Sequence, residues 1–401
     1  CGNSSRLMSG IFGVFNSDDR SAEGSDYTVW ADASLYYRDD LCRALGIKPD
    51  DAADDADLIL AAYQKWGENC VDHLHGDCAF AILNPASNSL FCARDHFGMR
   101  PFYYHNAPER RFVFASDARA ILVLPQVPYR INEGRIADFL VPQLEWLDYT
   151  STFFEDVFRL PPGHTLSVSP PGIRVAEYWR PQPVPGPTDL SDDEYREGFF
   201  EVFTRAVESR LRGPHNATGS MLSGGIDSGA VVAVAGEILN SRGQNPLRTI
   251  SAARREQNDC AESGAIRAAA ALPSNAPAFV YLEDVGQQLE SLLSGNEEPF
   301  DGEAMILKAI YGAANTHELR VLLDGAGGDV VLACRSVEKA ERAAEDLRDQ
   351  VRGAVTVNAL DLGDLSSVRK AAEEIGGTHP RIDGLINNAG VMQTPEMRTA
   401  D

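Results

Sequence analysis

Several features are missing from this 401-residue sequence, and each absence excludes a class of protein. No two cysteines have the C-x-x-C spacing, so a structural zinc site is not expected. No apolar run is long enough to span a bilayer, which argues against a membrane protein. Basic residues number 36 against 59 acidic ones, and the net charge of −23 argues against nucleic acid or an anionic membrane as a partner.

The cysteines are scattered and odd in number, which is typical of a reducing compartment and predicts a cytoplasmic location. They are Cys1, Cys42, Cys70, Cys78, Cys92, Cys260 and Cys334. An initiator methionine is also missing. The chain begins with Cys1, which indicates a processed chain or a fragment and leaves a free N-terminal thiol that can act as a nucleophile.

The segment most informative about chemistry is Leu222-Ser-Gly-Gly-Ile-Asp-Ser-Gly229, between a short strand-like run and a helical run. A strand, a small-residue loop and a helix N-terminus form an anion-binding geometry. Gly224 and Gly225 let the backbone approach a phosphate, the two serines add hydroxyl donors, and Asp227 can hold a divalent cation. The lysine of a Walker loop is missing, so Mg2+ is expected to help neutralise the phosphates. The alternative is an ordinary glycine-rich turn.

The first part of the chain, residues 1–180, predicts stacked antiparallel sheets, because short apolar runs alternate with turns. One helix is clear, with Asp54 and Asp55 at its start, apolar residues at helical spacing as far as Trp66, and Gly67 as its stop. A proline-rich segment, 181–190, predicts a semi-rigid linker.

Residues 191–329 alternate between helices and strands, which predicts a doubly wound domain with ligands at the carboxyl ends of its strands. The pattern indicates a helix over 195–211, a second strand over 247–252 and a third over 320–323. Asp324-Gly-Ala-Gly-Gly-Asp329 leaves this third strand, so Asp227 and Asp329 are expected to share one Mg2+ over a pyrophosphate. The alternative is a pair of solvated turn aspartates.

Dense motifs over residues 8–331 resemble the asparagine synthetase family of the glutamine-hydrolysing type, most closely its branch related to lasso-peptide cyclases. The matching segments include Met8-Ser-Gly-Ile-Phe-Gly13, Leu74-His-Gly-Asp-Cys-Ala-Phe-Ala81, Ala93-Arg-Asp-His-Phe-Gly98, Arg159-Leu-Pro-Pro-Gly163, the 222–229 loop, Glu298-Pro-Phe300 and Val321-Leu-Leu-Asp-Gly325. The resemblance implies a first domain that frees ammonia from glutamine and a second that adenylates a carboxylate for that ammonia to attack.

The first of these sites departs from the family pattern. Where the family has Cys-Gly-Ile, this chain has Ser9-Gly10-Ile11, and Cys1 lies eight residues earlier; each is a doubtful nucleophile. Asp32-Ala33-Ser34 replaces the family's Asn-Gly-Glu, and Asp77 is the remaining match for binding the glutamine amino group. We therefore expect a structural relic of a glutaminase. In the second site Ala326 replaces the family's Glu, so asparagine synthesis as such is not expected and larger substrates are favoured.

Residues 330–401 resemble pieces of a short-chain dehydrogenase, including Leu385-Ile-Asn-Asn-Ala-Gly390. A glycine-rich dinucleotide loop and a Tyr-x-x-x-Lys pair are both missing, so dehydrogenase activity with NADP is the weakest alternative. The junction indicates a chimera in which the synthetase domain is truncated.

The sequence thus predicts an α/β fold: a degenerate N-terminal nucleophile-type αββα sandwich, a partial ATP-pyrophosphatase doubly wound domain, and a Rossmann-like fragment. The predicted function is ATP-dependent amide-bond formation through an acyl-adenylate, impaired by truncation; the alternative is a non-catalytic ATP-binding chimera. The expected partner is a small-molecule or peptide carboxylate, and a homo-oligomer is left open. The predicted ATP and pyrophosphate ligands are Leu222, Ser223, Gly224, Gly225, Asp227, Ser228 and Gly325, with Mg2+ on Asp227 and Asp329.

Overall fold

The computed structural model describes thirteen segments of the chain. They are residues 10–16, 27–48, 54–106, 111–141, 148–170, 172–181, 191–211, 217–244, 246–255, 261–288, 302–325, 330–334 and 355–359. Two compact units are formed, the first by Cys1–Arg180 with Gln287–Met305 and the second by Pro181–Gly286 with Ile306–Asp401. Among the predicted site residues, Cys1, Ser9, Ala326 and Asp329 lie outside the described segments.

The first unit contains two antiparallel sheets, with strand orders β1-β6-β5-β7 and β2-β3-β4-β8-β9. The strands are β1 (Phe12–Asn16), β2 (Thr28–Leu35), β3 (Gly76–Asn84), β4 (Ser89–Arg94), β5 (Tyr103–Asn106), β6 (Arg111–Ala115), β7 (Phe158–Arg159), β8 (His164–Ser169) and β9 (Gly172–Glu177). The helices are α1 (Arg38–Leu45), α2 (Asp55–Trp66), α3 (Ala118–Leu122) and α4 (Glu133–Phe139), with a 3-10 helix at Gly67–His73.

The two sheets pack face to face, and helices cover their outer faces. Successive side chains on a strand point to opposite faces, so each strand serves two cores. On β3, Ala79 and Ala81 face the second sheet, whereas Phe80 and Ile82 pack against α2. On β6 the same alternation directs Phe112 and Phe114 into the inter-sheet core and the intervening residue toward α3. The layers are therefore helix, sheet, sheet and helix, the arrangement predicted for residues 1–180.

Helix α2 begins and ends where the sequence predicts. The Asp54 side chain accepts a hydrogen bond from the Asp57 N–H at 2.8 Å, which satisfies one free donor of the first turn. Gly67 ends the helix with a φ of 62°, a left-handed conformation that glycine adopts without strain. Leu58, Ile59 and Ala62 form its buried face.

The second unit is built on a four-stranded parallel sheet in the order β12-β11-β10-β13. Its strands are β10 (Thr218–Met221), β11 (Leu247–Ala253), β12 (Asn275–Tyr281) and β13 (Val321–Leu323). Its helices are α5 (Asp192–Arg210), α6 (Ile226–Ser241), α7 (Ala261–Ala270), α8 (Leu282–Val285) and, from Ile306 onward, α9 (Gly302–Thr316); a 3-10 helix at Gly286–Gln288 lies at the boundary of the unit.

The strand count is a correction to the sequence analysis, which took residues 320–323 as the third strand of this domain. They form the fourth strand, since β12 precedes them in the chain. Pro277 lies in the middle of β12, and a proline argues against a strand unless the strand lies at a sheet edge. The sheet order places β12 at that edge, where a missing N–H is tolerated.

Helices cover both faces of this sheet, as parallel sheets require. One face packs against α5, α6 and α7 through apolar side chains such as Val232 and Ala235. The other packs against α9 through Ile310 and Ala314, which contact Met221 and Ile250. The strand order is that of a doubly wound fold, whose order reverses between β10 and β13.

A separate parallel pair is formed by β14 (Val330–Cys334) and β15 (Val355–Ala359). The other segments used to predict a dehydrogenase-like fragment lie outside the described residues, and that fragment remains a prediction. No helix in the described segments is both long and apolar enough to cross a membrane.

Candidate nucleotide-phosphate site

The candidate site lies where the sheet of the second unit reverses its strand order. Strands β10 and β13 are neighbours, and the loops that follow them leave from the same edge. In open α/β sheets, crossovers that run to opposite faces from such a pair leave a crevice at the carboxyl ends of the strands, where ligands bind. The loop after β10 carries Ser223 to Gly225, and the loop after β13 carries Asp324 and Gly325.

Two serines close the first loop on itself. The Ser223 N–H donates to the Ser228 hydroxyl oxygen at 3.1 Å, and the two hydroxyl oxygens are 2.9 Å apart. Ser228 is buried, whereas Ser223 is exposed. The Ser223 hydroxyl is therefore the one of the pair that a ligand can reach, and Ser228 stabilises the loop from inside. The sequence analysis assigned both hydroxyls to the phosphates. Only the packing shows that one hydroxyl is exposed and the other is buried.

Gly224 is a position where the backbone excludes any side chain. Its φ is +80°, a conformation that residues with a Cβ rarely adopt. A Cβ there would lie 3.0 Å from the backbone nitrogen of Ile266 and 3.2 Å from the Cβ of Ala265, both on α7. The loop thus packs directly against α7.

Gly325 joins the second loop to the first. A Cβ at Gly325 would lie 2.7 Å from the backbone nitrogen of Ser228 and 2.9 Å from the carbonyl carbon of Asp227. Both neighbours are backbone atoms of α6, so neither can be displaced without moving the helix backbone. Residues separated by about a hundred positions therefore meet at the first turn of α6, and their assignment to one ligand site remains a prediction.

The first turn of α6 is suited to binding an anion. Its N-cap is Gly225, which has no side chain to bond the free N–H groups of the turn. Those N–H groups and the helix dipole favour negative charge at this end. Ile226 and Asp227 are exposed there, so a carboxylate lies beside the anion-binding end of the helix.

A magnesium ion fits this donor set in one specific way. Within the described segments no group of three His, Cys, Asp or Glu side chains lies close enough to hold a metal ion. Protein sites for Mg2+ commonly use one or two carboxylates together with substrate phosphates and water. Asp227 supplies one carboxylate, and the second predicted ligand, Asp329, lies outside the described residues.

In the predicted glutaminase site of the first unit, two acidic side chains are already bonded to other protein groups. Asp77, the predicted glutamine ligand, accepts a 2.6 Å hydrogen bond from the Tyr36 hydroxyl. Asp32 lies on the neighbouring strand and is buried, with a carboxylate oxygen 3.5 Å from a guanidinium nitrogen of Arg100. Burial raises the pKa of Asp32, and the positive charge of Arg100 opposes that rise.

The Asp32 carboxylate replaces an amide of the family pattern, and the replacement changes the chemistry. An oxyanion needs hydrogen-bond donors, whereas an ionised carboxylate only accepts. The sequence analysis missed the pairing of Asp32 with Arg100, because 68 positions separate the two residues and no local pattern links them.

The Arg94-Asp95 pair of the first unit has a structural role. Asp95 is 1% exposed and accepts hydrogen bonds from four backbone N–H groups. The donors are Cys78 at 3.2 Å, Phe97 at 3.1 Å, Met99 at 2.9 Å and Arg100 at 3.0 Å. Arg94 donates to three carbonyl groups, those of Gly98, Arg100 and Leu160. In this family-like motif the Arg94 guanidinium and the Asp95 carboxylate therefore fix a turn.

Comparison with known proteins matches two consecutive parts of the chain to two domain families. Residues 21–179 match the glutamine amidotransferase domain family, and residues 198–389 match the asparagine synthase family. The second match runs past residue 329, so the predicted boundary there remains a prediction. Together with the curated relatives, these matches support the asparagine synthetase family.

Individual relatives carry related names. Asparagine synthetase [glutamine-hydrolyzing] 3 of Bacillus subtilis is 31% identical over 57% of this chain and 37% of its own length. Asparagine synthetase [glutamine-hydrolyzing] 1 of the same organism is 28% identical over 69% of this chain and 42% of its own length. Amidase chry2 of Gibberella zeae is 29% identical over 46% of this chain and 27% of its own length. The chain thus spans less than half the length of the curated relatives it matches.

Proposed function

We propose that the second unit binds ATP and serves an ATP-dependent ligase that forms amide bonds. In the proposed reaction a carboxylate oxygen of the substrate attacks the α-phosphorus, and pyrophosphate leaves. An amine then attacks the acyl carbon of the acyl-adenylate, and AMP leaves. The carboxylate belongs to a small molecule or a peptide, and asparagine synthesis as such is not proposed because Ala326 stands where asparagine synthetases have Glu.

The observation that carries this proposal is the contact between Gly325 and the first turn of α6. It brings two glycine-bearing loops together at the strand-order reversal, over an open helix N-terminus. A triphosphate needs close backbone approach and many N–H donors, and this arrangement supplies both. Ser223 and Gly225 would contact the pyrophosphate, and Leu222 and Gly325 would lie beside the adenosine.

Magnesium would have a specific place in this scheme. Mg2+ would neutralise part of the phosphate charge, and the exposed Asp227 would hold it from the protein side. The chain carries a net charge of −23, so positive charge at the site has to come from the ion and from nearby cationic groups.

The first test is isothermal titration calorimetry of the 401-residue protein with ATP and Mg2+, followed by a pyrophosphate-release assay. Binding in the micromolar to millimolar range supports the proposal, and release with an added carboxylate supports its chemical step. Binding without release under every carboxylate tried would favour the second candidate, a non-catalytic ATP-binding protein. If the wild-type protein bound neither ATP nor pyrophosphate, the proposal would be overturned.

The Asp227→Asn variant tests the metal assignment, with Asp193→Asn as its control. Asp193 is an exposed acidic residue in the first turn of α5, so both substitutions remove one negative charge from a helix start. We expect the Mg2+ dependence of ATP binding to weaken in Asp227→Asn alone. Equal Mg2+ dependence in both variants would remove Asp227 from the site.

A further inference from the structure

An arginine at the end of β11 differs from the two arginines nearest to it. Arg255 pairs with Asp284 and stacks over the ring of Tyr281, with its guanidinium carbon 4.1 Å from the ring centre. Arg267 donates to two backbone carbonyls and stacks over Phe279. Arg254 is exposed, and within the described part of the chain no side chain or carbonyl pairs with its guanidinium.

The backbone of Arg254 is, in contrast, firmly held. Its N–H donates to the buried hydroxyl of Ser263 at 3.2 Å, and its carbonyl accepts from Arg267. The next residue, Arg255, directs its N–H at the Glu283 carboxylate, 3.3 Å away. A free cationic side chain on a fixed backbone is pre-organised to bind an anion, because little backbone entropy remains to be lost.

The backbone of Arg254 lies level with the phosphate loop, within reach of an arginine side chain. In the parallel register of β10 and β11, Met221 lies opposite Ile250, so the residues after β11 run level with the loop after β10. Neighbouring strands lie about 4.8 Å apart, a distance that an arginine side chain spans. Ser263, which holds Arg254, is on the same helix as Ala265 and Ile266, the residues that Gly224 packs against.

The phosphate loop has no cationic side chain of its own to balance the charge of a bound phosphate. The loop has no lysine, and Asp227 adds negative charge. A guanidinium binds phosphate oxygens through two parallel N–H donors, which gives orientation as well as attraction. We propose that Arg254 is a positioning residue for the pyrophosphate portion of ATP and supplies the fixed positive charge that the loop lacks. This inference rests on the proposed function of the second unit.

The test compares three variants of the 401-residue protein, Arg254→Ala, Arg254→Lys and Arg248→Ala. Arg248 lies near the opposite end of the same strand, so its loss changes the net charge equally but far from the loop. Calorimetry with ATP, pyrophosphate and AMP, at fixed Mg2+ and ionic strength, separates the phosphate groups that each variant affects.

We expect Arg254→Ala to weaken ATP and pyrophosphate binding about tenfold or more and AMP binding by less than about threefold. Arg254→Lys should recover part of the loss, because charge returns without the two-pronged geometry. Arg248→Ala should stay within about twofold of the wild type. Affinity for pyrophosphate should also fall less steeply with salt in Arg254→Ala than in the wild type.

Equal losses for AMP and pyrophosphate in Arg254→Ala would show a disturbed loop and overturn the inference. Wild-type affinity for pyrophosphate in that variant would overturn it as well, while leaving the proposed function intact. Failure of the wild-type protein to bind ATP and pyrophosphate would overturn the proposed function itself. The outcomes of the two proposals are therefore distinguishable in one set of titrations.

Discussion

The Arg94–Gly98 turn of the first unit and the Leu222–Gly229 loop of the second are both short polar segments that follow a strand. In the first, the Asp95 carboxylate is buried and fully used by backbone donors. In the second, Ser223, Gly225 and Asp227 are exposed beside a helix N-terminus without a side-chain cap. Both segments carry family resemblance, but Arg94 and Asp95 of the first are bonded within the protein, whereas Ser223 and Asp227 of the second are exposed.

The difference shows how a polar motif should be interpreted. Buried polar groups must be satisfied within the protein, and once satisfied they serve stability and precise geometry. Exposed polar groups in a loop after a strand have partners within their own loop, such as the Ser223–Ser228 pair, and remain accessible to a ligand. The comparison therefore assigns a folding role to the first motif and supports the proposed binding role of the second, and four measurements can break or sharpen it.

The largest effect should be seen in thiol reactivity, which reports on the first unit alone. Cys42, Cys70, Cys78 and Cys92 are free and buried there. Burial raises the pKa of Cys70 to about 12, so its reactive thiolate is scarce at neutral pH. We expect these four thiols to be alkylated about a thousandfold more slowly in the native protein than in urea, measured by mass-spectrometric mapping.

Rapid native labelling of Cys70 would contradict the buried core of the first unit. A useful internal control is ATP addition, which should leave the labelling of these four thiols unchanged. If ATP protected them, the first unit would take part in nucleotide binding and the contrast between the motifs would be lost.

The second-largest effect should come from Asp95→Ala, which leaves four backbone N–H groups without their acceptor. We expect a loss of at least about 3 kcal/mol in the free energy of unfolding of the first unit. Urea unfolding followed by alkylation of the four thiols measures it. Asp117→Ala is the matched control: Asp117 is a partly exposed helix cap that accepts from the Arg119 N–H, and its loss should cost about 1 kcal/mol. Equal losses in the free energy of unfolding for the two variants would contradict the structural role of Asp95.

A third effect should follow from Gly325→Ala in the second unit. The added Cβ meets backbone atoms of α6 at 2.7 Å, so the two loops must move apart. We expect ATP affinity to fall about tenfold or more in calorimetry. Gly229→Ala is the control beside the same loop, because a Cβ there meets open space and alanine favours the helix by about 0.5–1 kcal/mol. Unchanged affinity in Gly325→Ala would show that the loop contact does not build the site.

The smallest effect should be a pH-dependent difference between the wild type and Asp32→Asn. The folded-state pKa of Asp32 is raised, so its contribution to stability is fully present below the unfolded pKa of 3.8 and is lost as pH rises through the folded pKa. The asparagine variant cannot lose this contribution. Its stability relative to the wild type should therefore increase with pH just above 3.8, as measured by urea unfolding at several pH values. A difference that stays constant with pH would exclude the raised pKa.

Sequence alone determined the features that depend on neighbouring residues. Helix α2 could be bounded at Asp54 and Gly67, because caps and apolar spacing act within a few positions. The strand, loop and helix start around residues 222–229 could be predicted for the same reason, since they are contiguous, and their binding of an anion remains a prediction. The parallel sheet followed from the alternation of helices and strands, apart from β12, whose central Pro277 concealed it.

Only the tertiary structure decided which distant groups meet and which polar groups remain open. It placed Gly325 against Ser228, paired Asp32 with Arg100, and separated the buried Ser228 from the exposed Ser223. It also distinguished Arg254 from Arg255, neighbours of the same type in the sequence. The physical reason is that local patterns act through the backbone over one or two turns, whereas burial and long-range contacts exist only after the layers have packed.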